Sequence, residues 1–305
     1  MNEVFAGLAP VFILIGLGWA ARAGRLATPE AFVAVNRFGY FVLYPAFLFT
    51  LVTHAAFDRP GAGPFLAAVL LGALAVMGVA LAQRLFFRAN GPQFTSVFQG
   101  SVRWNGFVLL AAALPLYGQE GLDLLGLAFG PLVLLINLVC VAVLARWGAA
   151  QAASARAVLD QIVANPLILA CAAGLAANLA GLRDLGPLSH ALDLLGDAAM
   201  PVALICVGAG LDFKALRAAR VPVAAASIAK LALMPAVLWS AATLLGAGPL
   251  GAAVAAGIGA TPTAAAGYTL AREMGGDAQL MAAIITATTL FSFITMPIVL
   301  ALAML

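Results

Sequence analysis

Apolar runs recur from one end of the chain to the other, separated by short clusters of polar, charged and turn-forming residues. Each run of about 18 to 25 residues is long enough to cross a hydrocarbon core of about 30 Å as an α-helix. The pattern therefore predicts an all-α polytopic membrane protein. The ten predicted spans are roughly 4–21, 37–53, 62–86, 94–116, 121–145, 161–180, 188–211, 219–246, 248–271 and 277–304.

Composition supports this interpretation. Of the 305 residues, 64% are hydrophobic and 9% are charged, whereas soluble domains have roughly 25% charged residues. This excludes a soluble enzyme, a nucleic-acid-binding protein and a disordered scaffold. The three cysteines lie within apolar runs, which is typical of small core residues, and no metal or cofactor site is expected. They are Cys140, Cys171 and Cys206.

Basic residues are distributed unevenly between the linkers. Positively charged loops are retained in the cytoplasm, so eleven basic residues after odd-numbered spans against two after even-numbered spans predict that both termini lie outside. The eleven, counted with the flanking span ends, are Arg22, Arg25, Arg37, Arg84, Arg88, Arg146, Arg156, Lys214, Arg217, Arg220 and Arg272; the two are Arg59 and Arg183.

Two halves of the chain resemble each other when it is shifted along itself. The matched pairs are Pro10 with Pro166 and Pro45 with Pro201 at a shift of 156, and Gly118 with Gly275 and Asn105 with Pro262 at a shift of 157. The pairs predict two five-helix repeats, residues 1–150 and 151–305. Because five is odd, the second repeat is expected to be inverted in the membrane, an architecture of many secondary transporters.

Spans four and nine, which occupy corresponding positions in the two repeats, carry polar residues near their middle. Span four contains Arg103 and Asn105, and span nine contains Thr261, Pro262 and Thr263. Proline removes a backbone donor and crowds the preceding turn, which frees carbonyl groups to face a cavity. We therefore expect both helices to be interrupted, to cross near the midplane and to bind substrate there.

Two cations lie deep within predicted spans. Arg103 and Lys230 are ten and eleven residues from their span ends, or roughly 15 Å deep at about 1.5 Å per residue. All acids fall in linkers, at span ends or, for Asp193 and Asp197, in the outer part of span seven. A buried cationic site without a compensating anion favours an anionic substrate such as a carboxylate. Burial disfavours a charged lysine, so Lys230 is also the candidate for proton coupling; sodium coupling stays open.

These features favour a secondary active transporter of small organic anions that works by alternating access. An intramembrane enzyme is disfavoured because the two histidines, His54 and His190, lie near span ends and no catalytic motif is present. An anion channel or uniporter with the same cationic midplane site remains an alternative, since a positive pore and a positive carrier site have the same composition.

Three segments carry a resemblance to a known family. They are RWNGFVLLAAALPLYGQEGL, NPLILACAAGLAANL and TPTAAAGYTLAREMGGDAQL. They resemble the fourth helix, the start of the second half and the ninth helix of the auxin efflux carrier family, which includes bacterial malonate and organic-acid permeases and plant PIN auxin exporters.

The resemblance covers essentially the whole chain. It implies a homodimer in the cell membrane, with the bacterial inner membrane expected, and a small organic anion or an auxin-like acid as substrate. It also implies a scaffold of spans 1, 2, 6 and 7 and a transport domain of spans 3–5 and 8–10. Carried onto this sequence, Asn105 and Pro262 fall where the fourth and ninth helices cross.

Overall fold

The computed structural model describes residues 2–57, 60–85, 90–149, 164–217 and 220–304, and within these ranges it contains helices and no β-strand. Arg59, Arg88 and Arg156, used above for orientation, and the repeat boundary at 150/151 lie outside the described residues. The helices are α1 (Asn2–Ala23), α2 (Pro29–Phe38), α3 (Tyr44–His54), α4 (Ala62–Ala82), α5 (Gly91–Val102), α6 (Gly106–Trp147), α7 (Pro166–Leu179), α8 (Pro187–Ala209), α9 (Arg220–Ile228), α10 (Met234–Leu244), α11 (Gly248–Ala260), α12 (Ala266–Glu273) and α13 (Ala278–Ala303).

Seven helical stretches among the described residues are long and apolar enough to cross a membrane, so the protein is a polytopic membrane protein. The sequence predicts ten spans, and that number stays a prediction. Two further apolar helices, α7 and α11, are shorter than a full crossing. The longest stretch, Gly91–Trp147, holds 57 residues and is interrupted twice, by the break between α5 and α6 and by Gly118.

Gly118 divides α6 by adopting φ 66° and ψ −170°. Its predicted repeat mate, Gly275, also has a positive φ, 73°, in the turn before α13. Glycine adopts this left-handed region readily because it has no Cβ. Asp123, just beyond the Gly118 turn, is almost fully buried and accepts a hydrogen bond from Gln119 at 2.9 Å. Asp123 therefore lies at the end of a predicted span, as expected, but its side chain is buried in the protein.

Two short π-helical turns lie immediately before prolines. Gly39–Leu43 leads from α2 to α3 ahead of Pro45, and Ala229–Leu233 leads from α9 to α10 ahead of Pro235. Proline cannot donate to the preceding turn and crowds it, and the wider π-turn relieves that conflict. Pro201, the predicted mate of Pro45, instead lies inside the continuous helix α8.

One group of helices is built on α1, α3, α7 and α8, with α2 packed against α8. The α1 and α8 backbones touch at two glycines. A methyl group added at Gly18 would lie 2.0 Å from the Ile205 carbonyl oxygen, and one at Gly208 would lie 1.8 Å from the Ile15 carbonyl oxygen. Such close crossings require small residues, so these positions fix how α1 and α8 pack.

A second group is built on α4, α5, α9, α10, α11 and α13, and α6 contacts both groups. Here too glycines permit close packing. Gly259 of α11 lies against the backbone of Pro235, and Gly100 of α5 lies against Ala226 and Ile284. This second group surrounds the breaks that follow α5 and α11.

Candidate functional site

Two helix breaks meet inside the protein. The α5 helix ends at Val102 and α6 begins at Gly106; α11 ends at Ala260 and α12 begins at Ala266. The backbone N–H of Asn105 donates to the Pro262 carbonyl at 2.9 Å, which joins the two breaks directly. We call residues 103–105 and 261–265 the crossover.

Local sequence explains why the helices stop there. Thr261 is extended, with φ −61° and ψ 151°, because a residue before proline is disfavoured in the helical region. Asn105 is also non-helical, with φ −92° and ψ 89°, at the position before α6 begins. Both segments therefore lack the hydrogen bonds that a continuous helix would supply to their backbone groups.

Arg103 lies at the end of α5 and only 5% of it is exposed. Its Nε donates to the Gln99 side-chain oxygen at 3.0 Å, and its Nη1 donates to the Asn137 side-chain oxygen at 3.1 Å. Gly267 of α12 packs against its Cδ, where a methyl group would come within 3.2 Å. The guanidinium is thus oriented by neutral amides, which leave its positive charge uncompensated.

Gln99 and Asn137 were not identified as site residues from the sequence. Because the Gln99 oxygen accepts from Arg103, its NH₂ group must point away from the guanidinium. That NH₂ group is fully buried without a hydrogen-bond partner among the described residues. The i, i+4 spacing of Gln99 and Arg103 is a helix-face signal that could have found this pair; the Asn137 contact depends on tertiary packing.

Lys230 lies in the π-turn between α9 and α10 and is completely buried. Its ammonium group donates to the carbonyl of Gly259, in the last turn of α11. Cations are stabilised at helix C-termini because the partial charge there is negative. Lys230 therefore joins the second cation predicted from the sequence to the end of the helix that leads into the crossover.

The side chain of Asn105 is 95% buried, since its relative exposure is 5%. It does not cap α6, and in the described part of the chain its amide has no hydrogen-bond partner. A primary amide offers two donors and an acceptor. Asn105 is therefore a crossover side chain whose hydrogen-bonding capacity is unused among the described residues.

The two threonines of the crossover are engaged with the backbone. The Thr261 hydroxyl donates to the Ile258 carbonyl at 2.9 Å, and the Thr263 hydroxyl donates to the Gly100 carbonyl at 2.8 Å. The backbone N–H of Thr263 donates to the Thr288 hydroxyl at 3.2 Å. Both predicted site residues therefore lie at the crossover, where their hydroxyl groups satisfy carbonyl groups at the ends of α5 and α11.

Aromatic rings connect the crossover to α3. Phe107, in the first turn of α6, packs against Tyr44 with ring centroids 4.5 Å apart. Trp104 packs against Phe129 with centroids 5.3 Å apart and is 5% exposed. The indole of Trp104 is accordingly part of the protein core, while Phe107 places one edge of the crossover against the first helix group.

The charges of the crossover add up to a positive site. The C-terminal ends of α5 and α11 and the N-terminal ends of α6 and α12 meet there. Each helix end carries a partial charge of about half an elementary charge, negative at a C-terminus and positive at an N-terminus, so the four ends cancel. Within the described ranges no carboxylate forms an ion pair with Arg103 or Lys230.

Comparison with known proteins gives two matches. The sequence model of the family described as membrane transport protein matches residues 150–300. The chain is also 27% identical over 303 residues to a protein of Rhizobium meliloti (strain 1021) named "Putative malonate transporter", and the alignment covers 97% of this chain and 94% of that protein. Helical spans, a broken-helix crossover and both matches agree, and they support the resemblance of the chain to the auxin efflux carrier family of membrane transport proteins.

Proposed function

We propose that the protein is a secondary active transporter of small organic anions that works by alternating access. One observation carries the proposal: Arg103 is buried at the crossover near the unpartnered amide of Asn105, and the buried Lys230 is bonded to the end of the helix that leads into it. Neither cation has a carboxylate partner among the described residues. Carboxylates are the proposed substrate class, and auxin-like aromatic acids belong to it.

Electrostatics supports an anion rather than a cation or a neutral solute. Placing one arginine or lysine at the centre of a membrane helix costs roughly 2.5 to 3.5 kcal/mol even on the permissive insertion scale. A bound carboxylate would offset that cost with charge-assisted hydrogen bonds, which are the stronger kind. A bound cation would be a third positive charge near Arg103 and protonated Lys230, and both would repel it.

Each crossover residue has a proposed role. Asn105 binds the substrate through its side-chain amide, and Arg103 attracts the carboxylate. Thr261, Pro262 and Thr263 shape the opposite side of the site, where the Pro262 carbonyl and both hydroxyl groups hold the two breaks together. Lys230 completes the positive site and couples substrate to proton movement by gaining and losing its proton; sodium is the alternative coupling ion.

The architecture proposed for this mechanism has ten transmembrane helices in two inverted repeats, residues 1–150 and 151–305. Support comes from the paired breaks before Gly106 and Ala266 and from the paired left-handed glycines, Gly118 and Gly275. Spans 1, 2, 6 and 7 form the proposed scaffold and spans 3–5 and 8–10 the transport domain. The two groups of helices packed together as described above support this division.

Orientation and assembly are part of the same proposal. The excess of basic residues after odd-numbered spans supports an orientation with both termini outside. The family resemblance supports a location in the bacterial inner membrane. The family resemblance supports a homodimer formed through the scaffold.

The experiment that tests the function is counterflow in reconstituted vesicles. Malonate is the first acid to use, because the relative from Rhizobium meliloti carries that name, followed by malate, a monocarboxylate and an indole acid. Vesicles are preloaded with the unlabelled acid, labelled acid is added outside, and pH and sodium gradients are imposed separately.

A carrier is expected to accumulate label transiently and to saturate. A channel or uniporting pore would let label equilibrate without such an overshoot, so this result would contradict alternating access. If no acid entered under any gradient, the inference from Arg103 and Lys230 to an anionic substrate would be wrong.

A further inference from the structure

A second cationic site lies away from the crossover, where α1 ends and α2 begins. Arg22, Arg25 and residues 27–29 line a cavity of about 380 Å³, compared with about 30 Å³ for one molecule of liquid water. The cavity is large enough for a phosphate-sized group with its surrounding atoms. The cavity follows the first predicted span, and linkers after odd-numbered spans are predicted to be cytoplasmic.

The two arginines differ in how they are held. Arg22 is half-buried, and its Nη1 donates to the Ala209 carbonyl at 2.6 Å and the Leu211 carbonyl at 3.3 Å, which fixes it against the end of α8. Arg25 is exposed, and in the described part of the chain its guanidinium has no hydrogen bond or ion pair. The cavity therefore combines a fixed arginine with one whose donors are all available.

The charge of the cavity is not neutralised by its surroundings. Glu30, in the first turn of α2, forms no ion pair with either arginine among the described residues. The first turn of α2 is already capped by the Thr28 hydroxyl, which accepts from the Ala31 N–H at 3.3 Å. The attraction for an anion therefore comes from the arginine side chains and not from the helix end.

Neighbouring apolar residues place this cavity at the membrane surface. Trp19, one turn before Arg22, is 45% exposed and packs edge-on against Phe213 with centroids 5.9 Å apart. Exposed tryptophans collect at the boundary between hydrocarbon and headgroups. Leu26, next to Arg25, is 83% exposed. A ligand that meets both arginines can therefore also meet apolar side chains.

We propose that the Arg22–Arg25 cavity binds the phosphate of an anionic membrane lipid headgroup. Basic pockets at the cytoplasmic ends of transmembrane helices suit such headgroups, and arginine matches the geometry of phosphate oxygens. The exposed Trp19 and Leu26 favour a lipid over free phosphate because they can contact the acyl chains. The bound lipid holds the end of α1 against the end of α8 through Arg22.

The test is native mass spectrometry of the full chain in mixed micelles that contain phosphatidylglycerol and phosphatidylcholine with the same acyl chains. The wild-type protein is expected to retain phosphatidylglycerol preferentially. Arg25→Gln is expected to lower its affinity for phosphatidylglycerol about fivefold, the effect of removing one basic residue near a lipid surface. Arg272→Gln, which removes an exposed arginine at the end of α12, serves as the matched control and keeps wild-type binding.

A second variant separates the site from the fold. Arg25 has φ 57°, which is unfavourable for most side chains, and asparagine tolerates this region better. Arg25→Asn is therefore expected to fold at least as well as the wild type while losing the lipid preference. Wild-type lipid binding by both Arg25 variants would overturn the proposal. If inorganic phosphate displaced phosphatidylglycerol and added lipid did not rebind, the site would be assigned to free phosphate and the lipid proposal would be wrong.

Discussion

The guanidinium of Arg103 is held by the side-chain amide of Gln99, one helical turn earlier, and by no carboxylate in the part of the chain that the structure describes. A neutral partner orients the cation and leaves its charge available, whereas an acid at the same position would cancel it. This relationship distinguishes a buried arginine that attracts a ligand from one that only completes a structural ion pair.

Replacing Gln99 with glutamate should therefore weaken anion binding without removing Arg103. The new carboxylate pairs with the guanidinium and lowers the charge of the crossover by one, so we expect the KM for the organic anion to rise about tenfold or more. Gln99→Leu keeps the cation and should raise KM less. Initial rates of counterflow measure both; an equal effect of the two variants would contradict the charge argument.

Asn105 should matter through its side chain rather than its backbone. The Asn105 N–H still reaches the Pro262 carbonyl in Asn105→Ala, while the amide is lost. A hydrogen bond to a charged ligand contributes about 1.5–3 kcal/mol, so we expect binding to weaken roughly 10- to 100-fold. Asn105→Asp should repel the anion altogether. Uptake by Gln279→Ala, which removes an exposed amide on α13, should stay near wild type.

Substitution of Lys230 should change how transport depends on pH. Lowering the pH favours the charged ammonium and so strengthens anion binding, and we expect wild-type uptake to rise as pH falls while the substrate stays ionised. Lys230→Gln keeps a polar N–H donor on a side chain one bond shorter but cannot gain a proton. Its uptake should be lower and nearly independent of pH.

Lys214→Gln, a change in an exposed linker, is the control for lost positive charge. If Lys230→Gln reproduced the wild-type pH profile of initial rates, Lys230 would have no part in coupling, and sodium would become the coupling ion to examine.

The glycines of α1 offer a paired test of packing. In Gly18→Ala the new methyl group meets the Ile205 carbonyl oxygen, whereas nothing lies within 4 Å of the corresponding position at Gly16. Overpacking typically costs about 1–3 kcal/mol and occasionally more. Gly18→Ala should therefore lower the thermal unfolding midpoint in detergent, and Gly16→Ala should leave it nearly unchanged. Equal midpoints would show that α1 and α8 can separate without loss.

Much of the site was accessible from sequence because its signals are local. Pro262 forces a helix to stop, and Arg103, Asn105 and Lys230 are conspicuous in apolar surroundings. The contacts of these residues were not accessible. Asn137 meets Arg103 from 34 positions away, and the Gly259 carbonyl meets Lys230 from 29 positions away. Such pairs depend on how helices pack, which no short sequence pattern records.

The accuracy of the predicted helix boundaries also depends on whether a boundary has a local sequence signal. The predicted spans 94–116 and 121–145 leave a gap at Gly118, and the turn that divides α6 lies in that gap. The helical stretch that contains predicted span 37–53 begins earlier, at Pro29. The match of Gly118 with Gly275 in the second half of the chain is a further sequence signal for this turn. The two π-turns had no recognised signal, although each is followed by a proline that could have suggested a local change of helix.

The backbone contacts of Gly18 and Gly208 leave no clearance between α1 and α8. If either helix slid along the other by one residue, about 1.5 Å, a bulkier side chain would be driven into a main-chain carbonyl. The α1 and α8 helices are consequently expected to move as one rigid unit, without sliding past each other. Under the proposed alternating access, the motion that opens the crossover to each side in turn must therefore be accommodated at less closely fitted helix contacts.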